Sequence, residues 1–175
     1  YAADYLEILQ EEALANNTDL LLGIVYQDPA TGNYYNSMVS VGRQQGFYFK
    51  QHLVPFTEYL PLHDVLAGLV EILDVPMSDF SAGDLKQAPL QVASQKVGIS
   101  ICYEDAFGEE IIHSLPEATM LVNVSNDAWF GGSIAPQQHL QIARMRALET
   151  GRPLLRATNT GVSAVIDTRG RLIEV

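Results

Sequence analysis

The sequence predicts a layered α/β fold, and three observations support that prediction. Apolar runs of strand length, QKVGISIC and ATMLVNVS, alternate with segments whose apolar residues have helical spacing. An antiparallel hairpin is indicated earlier in the chain by two strand-like runs around the turn DPATGN. The length of 175 residues, without a linker or an internal repeat, fits one domain. Strands that alternate with helices form a sheet with helices packed against it.

The first half of the chain predicts one helix followed by three strands. DYLEILQEEALA has the apolar spacing of an amphipathic helix, and TDLLLGIVYQ has the length and composition of a buried strand. YYNSMVSVG alternates between apolar and polar residues and is predicted to pair with it. GFYFKQHLVP predicts a third strand that Pro55 ends, and HDVLAGLVEIL further on predicts a helix.

The second half predicts two more helices and the remaining strands. A helix over EDAFGEEIIHSL is expected directly after the strand QKVGISIC, and APQQHLQIARMRALET predicts a long amphipathic helix closed by Gly151. RPLLRAT, GVSAVIDT and RLIEV are predicted to be successive strands. The chain lacks an initial methionine and stops within a strand-like run, so we expect a fragment truncated at both ends.

Composition argues against several classes of protein. The net charge is −11, from 10 basic and 21 acidic residues, which disfavours binding to nucleic acid or electrostatic docking on anionic lipid. No apolar run approaches the roughly 18 residues that a membrane span needs. One cysteine cannot form an internal disulfide, and the four histidines show no metal-ligand spacing. We therefore predict no metal and no cofactor.

Cys102 has two interpretations. A cysteine that ends an apolar strand is usually a small buried hydrophobe. The strand also delivers Cys102 to the carboxyl edge of a sheet, where α/β proteins place their sites, and the start of a helix there would favour a thiolate. Asp105, in the first turn of that helix, is predicted only to compensate the helix dipole. Lys50 either extends from a strand end to water or holds an oxyanion near the thiolate, and the residues alone leave both open.

Four segments carry a distinctive combination of motifs: KQHLVPFTEYLPL, ICYEDAFGE, VNVSNDAWFGGS and HLQIARMRALETGRPLLRATNTGVSAVID. Together they resemble the carbon–nitrogen hydrolase (nitrilase) superfamily, and within it most closely the branch of the apolipoprotein N-acyltransferases. The similarity covers nearly the whole chain. The resemblance implies a four-layer αββα sandwich with a glutamate–lysine–cysteine triad. Residues 1–175 would form a partial domain of this kind.

The resemblance also assigns roles to six residues. It implies that Cys102 is the nucleophile and Lys50 the catalytic lysine, and that the two come close together. It implies that Glu58 and Glu104 are two further active-site glutamates. It also implies that Tyr103 lies near the pocket and that Trp129 belongs to an active-site loop. The family's general base is a glutamate in a Pro-Glu context ahead of the first helix. No such motif precedes that helix, so we expect the base upstream of residue 1.

The implied reaction moves an acyl chain from a phospholipid to the amino group of the S-diacylglyceryl cysteine that begins a bacterial apolipoprotein, through a thioester on Cys102. The implied location is the bacterial inner membrane, with the catalytic domain facing the periplasm and membrane helices outside this chain. Such a thioester must be kept from water. Residues 59–80 and the pair Trp129 and Phe130 are candidate apolar lids.

Two alternatives remain. A soluble nitrilase-type amidase would share the cysteine, lysine and glutamates but would not need an apolar rim. A degenerate member of the family could act as a non-catalytic binding module. The presence of Lys50, Glu58, Cys102 and Glu104 together argues against the degenerate alternative.

Overall fold

Two β-sheets and three α-helices make up the part of the chain that the computed structural model describes, which is residues 2–59 and 79–175. The helices are α1 (Ala2–Ala15), α2 (Gly108–Ile111) and α3 (Ala135–Thr150). The strands are β1 (Leu20–Gln27), β2 (Tyr34–Val41), β3 (Gly46–Phe49), β4 (Leu90–Val92), β5 (Gln95–Ile101), β6 (Met120–Ser125), β7 (Leu154–Thr158), β8 (Ala164–Ile166) and β9 (Leu172–Glu174). The predicted helix HDVLAGLVEIL lies outside the described residues.

The first sheet is an antiparallel meander in the order β1-β2-β3. β1 and β2 form the predicted hairpin, in which Leu20 pairs with Val41 and Gln27 with Tyr34. The prediction of a buried strand for β1 is wrong. Its residues alternate between half-buried and exposed, because β1 is the last strand of the described sheet and shows one face to solvent.

The second sheet has the order β4-β5-β6-β7-β8-β9, and its three central strands are parallel. Ile101 at the end of β5 pairs with Val124 of β6, and Ser125 pairs with Thr158 of β7. The carboxyl ends of these three strands therefore lie at one edge of the sheet. Cys102 follows directly after β5 at that edge.

The elements form the αββα sandwich that the resemblance implies. Apolar side chains of both sheets pack against one another, and they include Met38, Tyr48, Val97, Ile99 and Val122. On the other face of the second sheet, α3 packs through Leu140, Ala143 and Ala147. On the outer side of the first sheet, α1 contacts β2, and Gln10 accepts a hydrogen bond from the Gly42 amide at 2.9 Å.

The segment after Cys102 differs from the single helix predicted for EDAFGEEIIHSL. It is a 3₁₀ turn (Cys102–Ala106), then α2, which has only four residues, then a second 3₁₀ turn (Ile112–Ser114). Phe107 interrupts the helical conformation with φ −99° and ψ 84°. The expectation that a helix dipole favours the Cys102 thiolate is therefore not supported, because no long helix starts at Cys102.

Other helix and strand ends follow or depart from the sequence pattern. α3 ends as predicted at Gly151, which adopts the left-handed conformation with φ +63°. β3 ends at Phe49 and not at Pro55, so Lys50 is the first residue after that strand.

Among the helices in residues 2–59 and 79–175, we find none with the length and apolar character to cross a bilayer.

Candidate active site

Cys102 sits at a strained turn at the end of β5. Its φ is +56°, a left-handed conformation that costs a non-glycine residue on the order of 1–3 kcal/mol and needs support from its surroundings. The residue is half-buried and packs against the apolar cluster between the sheets. Its carbonyl oxygen accepts hydrogen bonds from Asn123 Nδ2 at 3.0 Å and from His139 Nε2 at 3.2 Å. These contacts hold the backbone of the turn in place.

Lys50 and Glu58 form a buried ion pair. The lysine is 1% exposed, and its Nζ lies 2.7 Å from Glu58 Oε2. The same oxygen accepts the Val54 amide at 2.7 Å, and Oε1 accepts Asn36 Nδ2 at 2.8 Å. The Lys50 side chain is thus buried against a carboxylate partner and does not extend to water.

Tyr103 connects this ion pair to the turn that carries Cys102. The Lys50 ammonium lies 5.6 Å from the centre of the Tyr103 ring, and the phenol donates to the Leu53 carbonyl at 3.1 Å. Burial, followed by the negative charge of Glu58, raises the pKa of Tyr103 to about 12. Lys50 is therefore beside the residue that follows Cys102. A close approach of Lys50 to the sulfur itself stays a prediction.

Glu104 is fully buried, and both of its carboxylate oxygens are occupied. Oε1 accepts the amides of Gln51 at 2.8 Å and His52 at 3.1 Å, and Oε2 accepts the Ile101 amide at 2.6 Å and the Tyr48 hydroxyl at 3.1 Å. Burial raises the pKa of Glu104, while the amide hydrogen bonds oppose that shift. The carboxylate thus fastens the loop after Lys50 to the end of β5, just before Cys102.

Replacing Glu104 with glutamine is expected to destabilise the protein by at least about 2 kcal/mol. In glutamine, one of the two carboxylate oxygens is replaced by an NH2 group, which cannot accept the two hydrogen bonds that this oxygen now accepts. Each buried donor left without an acceptor costs about 1–3 kcal/mol. Denaturant unfolding measures the change. The matched control is Glu109→Gln on the exposed side of α2, which should change the free energy of unfolding by less than about 0.5 kcal/mol. Equal stability of the two variants would contradict the fastening role of Glu104.

A second contact joins the same two segments. His52 Nδ1 lies 2.9 Å from Glu110 Oε1, and the imidazole stacks on the Phe107 ring with 3.7 Å between the ring centres. Gln51 Nε2 also reaches Glu110, at 3.4 Å from Oε2. The loop that follows Lys50 and the segment that follows Cys102 are therefore held together by both hydrogen bonds and stacking.

The prediction for Asp105 is wrong, because this residue does not lie at the exposed start of a helix. Asp105 is 0% exposed, and its Oδ1 lies 3.0 Å from His139 Nε2. Sequence reasoning also missed His139, Asp127 and Arg156, which are buried with it. Two signals were available. His139 has the same helical spacing as the apolar face of α3, and Arg156 lies on the inward face of β7, two residues after Leu154.

Trp129 does not belong to the network of contacts that links Lys50, Glu58, Tyr103 and Glu104. It belongs to a 3₁₀ turn, Ala128–Phe130, and its side chain is 81% exposed. Phe130 and Ile134 nearby are also exposed. Most of the other proposed lid, residues 59–80, lies outside the described residues.

Within residues 2–59 and 79–175, no group of three or more His, Cys, Asp or Glu side chains is arranged to hold a metal ion.

Comparison with known families and curated sequences gives consistent matches. The sequence profile described as "Carbon-nitrogen hydrolase" matches residues 1–174. The chain is 57% identical over 172 residues to the apolipoprotein N-acyltransferase of Nitrosomonas europaea, covering 98% of this chain and 35% of that relative. It is 53% identical over 174 residues to the protein of the same name from Methylococcus capsulatus, covering 99% and 34%. The chain therefore spans about a third of the length of these relatives.

Two solved structures with similar folds are much more distant in sequence than these relatives. A carbon–nitrogen hydrolase from Helicobacter pylori G27 superposes with a TM-score of 0.75 at 20% identity, over 99% of this chain and 62% of that chain. The NitFhit protein of C. elegans superposes with a TM-score of 0.71 at 22% identity, over 97% and 42%. At these identities the similarity establishes the fold alone.

Proposed function

The chain belongs to the carbon–nitrogen hydrolase family, and we propose that residues 1–175 are part of the catalytic domain of an apolipoprotein N-acyltransferase. The observation that carries the proposal is the 57% identity to a relative of that name over 98% of the chain. The proposed substrates are a phospholipid acyl donor and a diacylglyceryl apolipoprotein acceptor. The proposed site of action is the bacterial inner membrane, on its periplasmic side. No metal, other cofactor or nucleic acid takes part.

The first half-reaction transfers the acyl chain to the protein. The Cys102 thiolate attacks the ester carbonyl carbon of the phospholipid, and a C–S bond forms as the carbonyl oxygen becomes an oxyanion. Collapse of this intermediate breaks the ester C–O bond, and the leaving alkoxide takes up a proton to give a lysophospholipid. An acyl thioester on Cys102 remains.

Two hydrogen-bond donors are available to the oxyanion, one charged and one neutral. The Lys50 ammonium has three N–H donors, and among residues 2–59 and 79–175 one of them is directed to Glu58, which leaves two for the substrate there. Tyr103 is the second residue of the 3₁₀ turn Cys102–Ala106, and the first N–H groups of such a turn have no partner within it. Together they supply the electrostatic stabilisation that acyl transfer needs.

The second half-reaction passes the acyl chain to the lipoprotein. The amino group of its N-terminal cysteine attacks the thioester carbonyl, a C–N bond forms, and the C–S bond breaks. The amine loses a proton and the thiolate of Cys102 is restored. Because lysophospholipid leaves before the second substrate reacts, the kinetics are expected to be ping-pong.

The general base is proposed to lie outside these 175 residues. Glu104 already accepts four hydrogen bonds, which fill the lone-pair sites of both its oxygens. Glu58 is neutralised by Lys50 at 2.7 Å. Each of these glutamates thus supports the site, and the base is the remaining glutamate of the family's triad.

An amidase is the second candidate, and the exposed apolar loop favours the acyltransferase over it. Trp129, Phe130 and Ile134 expose large apolar side chains close together in sequence, beside Gly131 and Gly132. Such a loop suits a long acyl chain and can exclude water, which competes with the amine for the thioester. A soluble amidase acting on a small substrate has no need of it.

The test is acyl transfer by the complete protein in detergent micelles. We expect a phospholipid with an isotopically labelled acyl chain to add that chain's mass to the peptide containing Cys102. A diacylglyceryl peptide added afterwards should remove the label and carry it as an amide. Hydrolysis of short amides without labelling of either peptide would favour the amidase instead.

A further inference from the structure

Four charged side chains are buried together against the backbone of Cys102, and we call them the buried charge cluster. Asp105, Asp127, Arg156 and His139 are 0%, 2%, 3% and 6% exposed. His139 Nδ1 lies 3.0 Å from Asp127 Oδ1, and its Nε2 lies 3.0 Å from Asp105 Oδ1. Arg156 Nη2 lies 3.0 Å from Asp127 Oδ2. The cluster joins the turn after β5, the segment after β6, the strand β7 and the helix α3.

The geometry selects a proton on both ring nitrogens of His139. Each nitrogen faces a carboxylate oxygen, and a neutral imidazole would present a lone pair to one of them. Two carboxylates and the single guanidinium of Arg156 would leave one buried negative charge without compensation, and an imidazolium removes it. Burial lowers the pKa of His139, but the hydrogen bond and charge of Asp105 outweigh burial and raise it overall.

The cluster reaches the nucleophile through one peptide group. His139 Nε2 and Asn123 Nδ2 both donate to the carbonyl oxygen of Cys102, at 3.2 and 3.0 Å, and the Nε2 proton is shared with Asp105 Oδ1 at 3.0 Å. A trans peptide is planar, so this carbonyl and the N–H of Tyr103 point in opposite directions. Holding the carbonyl toward His139 therefore directs that N–H away from the cluster. A cationic donor on the carbonyl also polarises the peptide and strengthens its N–H as a donor.

We propose that His139 and Asn123 are positioning residues that aim the backbone N–H of Tyr103 at the oxyanion formed during acyl transfer. The inference rests on the proposed function, because this N–H has that role only if Cys102 forms a tetrahedral intermediate. The left-handed conformation of Cys102 is disfavoured for a residue with a side chain, and the two donors supply the contacts that hold it. His139 thus acts through the backbone and transfers no proton.

A matched pair of double variants separates the hydrogen bond from the charge. His139→Gln with Asp127→Asn, and His139→Leu with Asp127→Asn, leave the same charges in the cluster, one on Asp105 and one on Arg156. Only the glutamine can donate to the carbonyl of Cys102. The two variants therefore differ in the donor and agree in net charge.

In the complete protein, the leucine variant is expected to acylate Cys102 more slowly than the glutamine variant at saturating phospholipid, by up to about 10²–10³-fold, which is the loss typical when an oxyanion donor is removed outright. The phospholipid concentration that gives half of the maximal rate should be the same in both. Alkylation of Cys102 by iodoacetamide forms no oxyanion, so its rate should also be the same in both. Mass spectrometry of the Cys102 peptide measures both reactions.

Two controls make the result specific. Leu140→Ala removes apolar volume from the same helix and should lower thermal stability while keeping the wild-type ratio of acylation to alkylation. If the leucine double variant does not fold, Asn123→Ser replaces it, because it removes the other donor and no charge, and the same selective loss of acylation is expected.

Equal acylation rates in the two double variants would overturn the inference, and so would alkylation that falls in step with acylation. A wild-type protein that forms no acyl thioester would overturn the proposed function, and this inference with it. A wild type that acylates normally, together with double variants that do not differ, would overturn only the role of His139.

Discussion

Replacing Cys102 with alanine is expected to abolish acyl transfer, with a loss of at least about 10⁴-fold, since removal of the nucleophile from a covalent acyl-transfer enzyme can cost about 10⁶-fold. Without the sulfur no thioester forms, and the lipoprotein amine would have to attack an unactivated phospholipid ester. Incorporation of labelled acyl chain into a diacylglyceryl peptide measures the loss.

The alanine variant is expected to fold. Cys102 is half-buried, and alanine adopts the left-handed conformation no less readily than cysteine does. Cys102→Ser is the matched control, because it keeps the size of the side chain and replaces the thiol by a hydroxyl, which is a much weaker nucleophile at neutral pH. Both variants should unfold near the wild-type temperature and show almost no transfer. An alanine variant that acylates the peptide at the wild-type rate would place the nucleophile elsewhere.

The positions of Cys102 and Lys50 at strand ends could be predicted because a strand that crosses a core leaves a strong local signal. GFYF is apolar over the whole of β3, and VGISI, the last five residues of β5, is apolar except for Ser100. The first reactive or charged residue after each run marks the edge of the sheet. Glu58 and Glu104 carried no such signal. Their assignment came from the family resemblance, and the structure explains their burial by backbone amides that sequence patterns do not reveal.

The buried charge cluster could not be predicted from local sequence. Asp105 and His139 are 34 positions apart and His139 and Asp127 are 12 apart, and nothing in their immediate neighbours marks them as partners. Asp105 looks like an acid at a helix start until Phe107 breaks the helix and the turn directs the carboxylate inward. A charge in an otherwise apolar periodic position, as at Arg156 in β7, is the signal that points to such a partner.

Replacing Lys50 with methionine is expected to lower both the stability and the activity of the protein. The side chain is 1% exposed, so the change leaves the Glu58 carboxylate buried without its positive partner. Removing one member of a buried ion pair costs about 3–5 kcal/mol in the free energy of unfolding. Loss of a positive group at the oxyanion costs a further factor of about 10²–10³ in the rate of acyl transfer. Denaturant unfolding and single-turnover acylation measure the two losses separately.

The double variant Lys50→Met with Glu58→Gln is expected to recover much of the stability and none of the rate. It leaves no uncompensated charge, and the carbonyl oxygen of the introduced glutamine can still accept the Val54 amide that now reaches Glu58 Oε2 at 2.7 Å. The new NH2 then faces Asn36, whose side-chain amide has to turn over and present its oxygen. Replacing a buried ion pair by uncharged groups of similar volume is often neutral for stability. The ammonium that we propose as a donor to the oxyanion is nevertheless absent. The control is Lys86→Met at an exposed lysine, which should change the free energy of unfolding by less than about 0.5 kcal/mol.

The cycle of single and double variants decides between two roles for Lys50. If the lysine served only to neutralise Glu58, removing both charges would restore the rate along with the stability. If the lysine also donates to the oxyanion, the double variant would recover stability relative to Lys50→Met, but its rate of acyl transfer would stay as low as that of Lys50→Met. We expect the second pattern, because an ammonium with one N–H on Glu58 keeps two donors for the substrate and sits 5.6 Å from the ring of the residue that follows Cys102. A double variant with the wild-type rate would limit Lys50 to a structural role.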